Sequence, residues 1–400
     1  MTACAITGGV TAARGFRAAG VSAGIKANGL DLALLVSDTS ATAAGVFTTN
    51  RAQAAPVIVS REHLQLSGGV VRGVIVNSGC ANACTGDEGL QVARDMAADT
   101  ARLIGCPTHQ VLVASTGVIG VALPLAKVRN SLPHAIHTLG ADQGPTAARA
   151  IMTTDPFPKE AAVTVEIDRK EVFIGGMAKG SGMIEPMLAT MLGFVTTDAA
   201  VPVPMLDLAL REAVEVSFNA ITVDGECSTN DCVILLANGA SGAVVNESTY
   251  RPFVEALSAV CRELALGIVR GGEGATKLVT VNVTGAASDL EARRAAKAIG
   301  NSPLVKTAIH GGDPNWGRLV AVAGRAGVQF ELSRAAVTIG DVVLFKSGLP
   351  HDEAAPEAAA YLKSKEVTVG VDLGVGTAAS TVWTCDLSAD YVRINADYRT

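Results

Sequence analysis

Short runs of Val, Ile and Leu recur along this chain, and many of them end in Gly, Asn or Ser. Runs of this length and composition predict β-strands, here over residues 31–38, 71–79, 110–116, 161–168, 231–239, 277–285 and 366–374. Longer amphipathic segments predict helices, here over residues 87–105, 204–221, 249–272 and 289–303. Some strands alternate apolar and polar residues and others are apolar throughout, as in sheets covered on one face or on both. Layered sheets with helices outside them, an α/β fold, fit both patterns.

The length of the chain, 400 residues, exceeds what one compact core accommodates. Two domains, or one large multilayer domain with a smaller satellite, are therefore expected. Because 49% of the residues are hydrophobic and 18% are charged, the chain can bury an extensive core and is not expected to be disordered. The segment 194–204 is the best candidate for a domain boundary.

The charge and hydropathy patterns exclude several classes of function. The formal net charge of −6 comes from interspersed residues, and the absence of a basic stripe argues against nucleic-acid binding. Gly, Thr and charged residues interrupt every apolar run before it reaches membrane-spanning length, and the N-terminal segment lacks the pattern of a signal peptide. We therefore expect a cytoplasmic protein with no nucleic-acid or membrane partner. A small anionic or zwitterionic ligand bound by local cations is compatible with this charge balance.

Eight cysteines raise the question of disulfides or a metal site. A cytosolic chain of this size does not need cross-links, so most of these cysteines are expected to be small apolar fillers. Cys80 and Cys84 form one close pair and Cys227 and Cys232 another, but neither spacing falls on a zinc pattern and no His lies beside them. We expect no metal and no cofactor.

A predicted strand runs into Ser115, Thr116 and Gly117. The N–H of a Gly after a strand is open to a ligand at close range, and an adjacent hydroxyl adds a second donor. Such a pair can form an oxyanion hole, in which each donor contributes roughly 3 kcal/mol when little water is present. Taken alone, an ordinary turn accounts for these residues better.

The segment 175–192 contains Lys179 among small residues and ends with the pair Ala189–Thr190 before Met and Leu. Self-cleavage needs a hydroxyl after the scissile bond, a small residue before it and a turn that strains the peptide. The hydroxyl attacks the preceding carbonyl, and water opens the resulting ester. From these residues alone, a buried helix at 183–192 and a solvated Lys179 in a loop are the simpler interpretations.

Cleavage would give Thr190 the base that its hydroxyl lacks. A free α-amine has a reference pKa of about 8, so its neutral form can accept the hydroxyl proton near neutral pH. A Lys amine, with a reference pKa of about 10.4, would be mostly charged without help.

The Gly-rich loop 271–278 does not have the spacing of a phosphate-binding loop, and no dinucleotide fingerprint occurs in the chain. What remains in this loop is Glu273, an acid between glycines. It could bind an ammonium group or shuttle a proton, or it could be a solvated turn residue.

Further polar loops, at 76–89, 218–233 and 310–319, either hydrogen-bond internally or line a site. His310 has no evident catalytic partner and is expected to be structural. The tail 391–400 is a polar, strand-like run, and a terminus of this kind is often tied down.

A set of long motifs resembles the ornithine acetyltransferase (glutamate N-acetyltransferase) family of arginine biosynthesis. In order, the motifs are STGVIG, IMTTD with PK, AKGSGMIEPMLATMLGFVTTDA, FNAITVDGECSTND, GGEGATKL, HGGDPNWGR and INADYRT. The resemblance runs from about residue 43 to Thr400.

This resemblance implies a fold and a processing event. The expected fold is the layered α/β/β/α sandwich of self-processing ornithine acetyltransferases and aminopeptidases, with a smaller α/β second domain. Self-cleavage between Ala189 and Thr190 is implied, which gives an N-terminal α chain (1–189) and a C-terminal β chain (190–400) that intertwine as one catalytic unit. Two chains of each kind are expected to form a heterotetramer.

The resemblance also implies a role for each site residue. Thr190 is both the cleaving residue and the nucleophile, Thr116 and Gly117 form the oxyanion hole, and Glu273 is catalytic. The residues implied to contact the substrate are Thr153, Lys179, Thr190, Glu273, Asn395 and Thr400.

The implied reaction is a two-step acetyl transfer. Thr190 attacks the acetyl carbonyl of N2-acetylornithine and ornithine leaves; the amine of L-glutamate then attacks the acetyl-Thr190 ester, giving N-acetylglutamate. Lys179, Asn395 and Thr400 suit the carboxylate that both substrates carry, and Glu273 suits the amine or its proton. The sequence leaves open whether acetyl-CoA is also a donor.

Two positions depart from the family pattern. Cys80 stands where the family usually has Asn, which bears on substrate choice, and PMLAT at 186–190 stands where it usually has PNMAT. The second change affects the rate of cleavage more than its occurrence, because Ala189, Thr190 and Gly182 remain.

Three rival functions stay open from the sequence. A self-processing aminopeptidase or amidohydrolase would share Thr190 but pass the acyl group to water. A non-enzymatic α/β binding protein would keep the Ala189–Thr190 bond intact. An acetyltransferase of similar mechanism could serve a different amine.

Overall fold

The computed structural model describes residues 3–185 and 191–397. These residues form two compact units. The first unit contains residues 3–185, 191–219 and 226–268, and the second contains residues 220–225 and 269–397. The segment 194–204 lies inside the first unit, so the boundary predicted there is wrong.

The strands are β1 (Cys4–Ile6), β2 (Phe16–Val21), β3 (Leu32–Phe47), β4 (Val70–Cys80), β5 (Val111–Val118), β6 (Lys159–Ile167), β7 (Lys170–Lys179), β8 (Leu192–Thr197), β9 (Cys232–Ala237), β10 (Leu278–Ala286), β11 (Ala336–Ile339), β12 (Val342–Lys346), β13 (Leu349–Pro350), β14 (Glu366–Asp372) and β15 (Ala378–Cys385). The helices are α1 (Ala55–Leu66), α2 (Gly86–Ile104), α3 (Leu125–His137), α4 (Gly144–Ala150), α5 (Val203–Glu215), α6 (Tyr250–Arg270), α7 (Asp289–Gly300), α8 (Pro303–Gly311), α9 (Trp316–Arg325), α10 (Ala355–Tyr361) and α11 (Ala389–Asp397). All the strands predicted from the sequence are present.

The long strand β3 connects the two parts of the large sheet in the first unit. The strand order is β1-β6-β7-β8-β9-β3-β4-β5, and β2 also pairs with β3. The start of β3 pairs with β2 and β4, whereas Thr42–Phe47 pair with β9, and the register with β4 shifts between Val36 and Ala41. The strands β8 and β9 therefore lie between β7 and β3.

Alternation along these strands produces two apolar layers in the first unit, because successive side chains point to opposite faces. One cluster joins residues of β3, β4 and β5 to residues of β7, β8 and β9: Leu35, Val74, Leu112, Met177, Phe194 and Ile234. The other cluster joins the opposite face of β3–β5 to α1, α2 and α3: Leu34, Ile75, Val113, Val59, Met96 and Leu132. On β7, a β-carbon at Gly176 would lie 2.9 Å from Leu264 of α6. The expected α/β/β/α layering is thus confirmed.

The second unit is the smaller α/β domain that was expected. Its sheet has the order β13-β12-β11-β14-β10-β15, in which β10 and β14 are parallel. Helix α7 packs on β10 and β15, and its first turn is capped by Ser288, whose hydroxyl accepts the N–H of Glu291 at 3.3 Å. The core is built mainly from Val and Ala of these elements.

Two predicted element boundaries need correction. The helix predicted over 204–221 ends at Glu215, and the Ser217 hydroxyl donates to the Ala213 carbonyl at 2.6 Å, which competes with the backbone pattern. Residues 391–397 of the tail predicted as strand-like belong instead to helix α11, in which Asp390 pairs with Arg393 one turn later. No helix within the described residues is long and apolar enough to cross a membrane.

Candidate active site

Thr116 and Gly117 lie within strand β5 and not at a turn. The register between β4 and β5 becomes irregular at Gly79 and Cys80, directly beside Gly117. Gly117 has φ +130°, and a β-carbon there would overlap the carbonyl carbon of Gly79 and lie 2.6 Å from the Cys80 nitrogen. Both the backbone conformation and the close approach require glycine here.

A buried amide network fixes the backbone before Thr116. Asn230 donates to the Ser115 carbonyl at 2.8 Å and to the Ala81 carbonyl at 2.7 Å. The Ser115 hydroxyl donates to Asn77 Oδ1 at 2.6 Å. The polar loops 76–89 and 218–233 noted in the sequence therefore hold the strand that carries Thr116.

Lys179 is the last residue of β7 and is 4% exposed, so the prediction of a solvated loop lysine is wrong. Strand β7 pairs with β8 up to its last residue, Lys179, which lies opposite Leu192. The Lys179 ammonium donates to Thr116 Oγ1 at 3.0 Å. A buried ammonium is costly without polar partners, and this hydrogen bond joins two residues from separate sequence motifs.

Asp155 links the Thr153 loop to the end of β7. Its carboxylate accepts the Lys159 ammonium at 2.5 Å, the Gly180 N–H at 2.7 Å and the Thr153 N–H at 3.0 Å. Burial opposes ionisation of Asp155, but the charges of Lys179 and Lys159 and these hydrogen bonds outweigh it and hold its pKa below the ordinary value. Sequence reasoning did not assign Asp155 or Lys159 a role, although the IMTTD and PK motifs contain them.

Cys80 is buried at the end of β4 and its thiol donates to the Val121 carbonyl at 3.2 Å. Burial raises its pKa, so the neutral thiol is favoured. Among the described residues no group of three or more His, Cys, Asp or Glu side chains could hold a metal ion.

In the second unit, Glu273 is 7% exposed and not a solvated turn acid. Asn395 of α11 donates to Glu273 Oε2 at 2.7 Å and to the Tyr391 carbonyl at 3.0 Å. The Ser388 hydroxyl donates to the Gly274 carbonyl at 2.6 Å. These contacts tie α11 to the loop that carries Glu273.

His310, which showed no partner in the sequence, lies with Nδ1 2.7 Å from Oδ2 of Asp386. The carboxylate of Asp386 also accepts the N–H groups of Thr276 and Lys277 at 2.7 and 2.8 Å. The sequence showed no partner for His310, and the structure supplies an acidic one. The acid is 76 positions away in the sequence, and only the fold brings the two together.

Three predicted site residues, Ala189, Thr190 and Thr400, lie outside the described residues, as does the middle half, 186–190, of the alternative helix at 183–192. The described residues of that segment, 183–185 and 191–192, are not helical. Directly after Thr190, Met191 is buried, and β8 begins at Leu192.

Comparison with family models and with known sequences points to one family. A model described as the ArgJ family matches residues 17–400. The arginine biosynthesis bifunctional protein ArgJ of Synechococcus sp. is 50% identical over 99% of this chain and 98% of its own length. The protein of the same name from Symbiobacterium thermophilum is 50% identical over 99% of both chains. A crystal structure of an ornithine acetyltransferase from Mycobacterium tuberculosis, complexed with ornithine, is 43% identical over 46% of this chain and 98% of that chain, with a TM-score of 0.44.

Proposed function

The chain belongs to the ArgJ family, and we propose that it transfers the acetyl group of N2-acetylornithine to L-glutamate through an acetyl-Thr190 ester. It is an acyltransferase of arginine biosynthesis. We propose that Thr190 becomes available by self-cleavage of the Ala189–Thr190 bond, which gives chains of residues 1–189 and 190–400.

The observation that carries this proposal is the hydrogen bond from the buried Lys179 ammonium to Thr116 Oγ1. Lys179 is the last residue of β7, the strand that leads into the cleavage motif. The hydrogen bond therefore places its positive charge beside Thr116, the proposed oxyanion-hole residue. On the other side of that motif, Leu192 pairs with Lys179. An anionic substrate and a developing oxyanion would both be stabilised at this place.

In the first step, Thr190 Oγ attacks the acetyl carbonyl while the free α-amine of Thr190 takes the hydroxyl proton. Thr116 and the Gly117 N–H stabilise the negative charge on the carbonyl oxygen. The C–N bond of acetylornithine then breaks, the nitrogen takes the proton from the α-amine, and ornithine leaves. The acetyl group stays on Thr190 as an ester.

In the second step the neutral amine of glutamate attacks the ester carbonyl. The oxyanion is stabilised as before, the C–O bond to Thr190 breaks, and the proton lost by the glutamate nitrogen returns to Thr190 Oγ by way of the α-amine. N-acetylglutamate departs. The ornithine that leaves in the first step and the glutamate that attacks in the second both react through an amine. One threonine nucleophile can therefore serve both substrates.

For the remaining residues we propose the roles that the family resemblance implies, which their chemistry fits. Lys179 binds the α-carboxylate common to both substrates, with Thr153, Asn395 and Thr400 as polar contacts. Glu273 pairs with the substrate amine or carries its proton, and its bond from Asn395 orients the carboxylate for that role.

A denaturing gel with N-terminal sequencing tests cleavage. We expect two bands for the wild type, a new chain that begins Thr-Met-Leu-Gly-Phe, and one band for Thr190→Ala. Mass spectrometry after incubation with N2-acetylornithine should show one acetyl group on the 190–400 chain. A single wild-type band, or acetate release that outpaces transfer to glutamate, would overturn the proposal in favour of a binding protein or a hydrolase.

The donor range and assembly remain predictions. Incubation with acetyl-CoA and glutamate, without acetylornithine, tests whether acetyl-CoA also donates. Light scattering tests the predicted assembly of two 1–189 and two 190–400 chains, and fractionation tests the predicted cytoplasmic location.

A further inference from the structure

Lys26 is a second cation beside the oxyanion-hole residues of the first unit. Its ammonium donates to the Met152 carbonyl at 2.9 Å, immediately before Thr153 in the chain. A β-carbon on Gly79 would lie 2.6 Å from Cγ of Lys26, and Gly79 is the residue against which Gly117 packs. The side chain of Lys26 therefore runs past the contact between Gly79 and Gly117 towards the Thr153 loop.

The backbone around Lys26 is fixed by Asp31. Its buried carboxylate accepts the N–H groups of Ala23, Ile25 and Lys26 at 2.5, 2.6 and 2.9 Å. Through these three backbone hydrogen bonds, Asp31 positions the loop. The Lys26 ammonium is hydrogen-bonded to the Met152 carbonyl and not to Asp31.

Two of the lysines near this site, Lys179 and Lys26, donate hydrogen bonds to neutral acceptors and not to carboxylates. Lys159 and Asp155 form a buried ion pair and offset each other. Lys179 donates to a hydroxyl and Lys26 donates to a carbonyl. Burial lowers the pKa of Lys26. The negative charges of Asp31 and Asp155 oppose this shift, and the positive charge of Lys179 adds to it. Each ammonium has three donor hydrogens, so both can accept an anionic ligand while keeping these bonds.

We propose, on the basis of the proposed function, that Lys26 determines acceptor specificity by binding the side-chain carboxylate of glutamate. Glutamate carries two carboxylates and N2-acetylornithine carries one. Lys179, which contacts Thr116 directly, binds the α-carboxylate next to the reacting amine. Lys26 passes Gly79, on which Gly117 packs, and its ammonium reaches the Met152 carbonyl and not Thr116, so it takes the carboxylate that ornithine lacks.

The test separates the two half-reactions in the self-cleaved enzyme. Acetyl-enzyme formation from N2-acetylornithine is followed by ornithine release, and its discharge is followed with glutamate or with glutamine, which lacks the second charge. In Lys26→Met we expect acetyl-enzyme formation within about twofold of the wild type. The glutamate concentration for half-maximal discharge should rise at least about tenfold, and the preference for glutamate over glutamine should fall by a similar factor.

Two further variants serve as controls. Lys127 is exposed and donates to the Gly24 carbonyl of the same loop, so Lys127→Met removes a nearby cation and should behave as the wild type. Lys26→Arg keeps the charge and should retain the preference for glutamate over glutamine.

Three results would overturn the inference: a wild type that does not prefer glutamate to glutamine, an unchanged glutamate response in Lys26→Met, or an equal weakening of both half-reactions. The last result would mean that Lys26 binds the shared α-carboxylate. A wild type that forms no acetyl-enzyme would overturn the proposed function itself, and the inference with it, so the two failures are distinguishable.

Discussion

The Lys179 ammonium lies 3.0 Å from the Thr116 hydroxyl oxygen, although 63 positions separate the two residues in the sequence. Both residues lie near the ends of their strands, β7 and β5. Four strands separate β7 from β5 in the sheet, so the contact forms because the layer of β3–β5 packs on the layer of β7–β9. Each side chain restricts the position of the other, so the proposed carboxylate site and the proposed oxyanion hole are coupled.

Replacing Lys179 by Met should slow both half-reactions, because the carboxylate it binds is common to both substrates. A hydrogen bond to a charged group contributes about 1.5–3 kcal/mol, so kcat/KM should fall roughly 10- to 100-fold for each. Steady-state kinetics with N2-acetylornithine and with glutamate measure this. Lys170→Met, at the exposed start of β7, is the matched control, and equal losses in both variants would contradict the assignment.

Gly117→Ala should destabilise the first unit, because its β-carbon would overlap the Gly79 backbone in a conformation that L-residues rarely adopt. Strain and overpacking together predict a loss of about 2–5 kcal/mol in the free energy of unfolding. Gly120 also has positive φ, at +77°, but faces open space, so Gly120→Ala should lose only about 1–2 kcal/mol. Urea unfolding distinguishes the two, and equal losses would count against a steric requirement at Gly117.

Asp155→Asn should destabilise the protein by about 3–5 kcal/mol, because it leaves the buried Lys159 charge without its anion. The double variant Asp155→Asn, Lys159→Met removes both charges and should be more stable than the single-site Asp155 variant. Unfolding free energies of all four proteins in the double-mutant cycle give the coupling. Additive effects would show that the ion pair is not energetically coupled.

Asp386 should make stability depend on acidic pH. Burial opposes its ionisation, but hydrogen bonds from Thr276 and His310 outweigh burial and lower its pKa below the ordinary value of 3.8. A carboxyl group with a lowered folded pKa stabilises the protein fully above that ordinary value, and the stabilisation is lost as the pH falls through the lower folded pKa. The difference in unfolding free energy between wild type and Asp386→Asn should therefore be largest near neutral pH and shrink below about pH 4. A difference that does not change with pH would contradict this.

The strands could be predicted because their composition and alternation are local properties. The run at 71–79 reads as a strand on its own, and the structure places it in β4. Helix α2 likewise ends where the sequence indicates, at Gly105 with φ +71°. Helix α11 could not be predicted in this way, because its polar residues lack an apolar period and its turns are held by bonds such as Asn395 to Tyr391.

The motifs indicated candidate site residues, but not the surroundings of those residues. Lys179 looked solvated because its neighbours in sequence are small, whereas its burial results from pairing with β6 and β8. The pairing of His310 with Asp386 depends on residues far apart in the chain. Contacts of this kind are set by strand order, which a single sequence does not reveal.

The position of β8 and β9 between β7 and β3 limits how the protein can be assembled. A fragment of residues 1–189 made by itself would lack these two central strands, and a fragment of residues 190–400 would carry them with both outer edges unpaired. Exposed edges of this kind promote aggregation. A precursor that folds as one continuous chain and is cut afterwards avoids that hazard. A gene split between Ala189 and Thr190 should therefore yield insoluble products unless both halves are synthesised together.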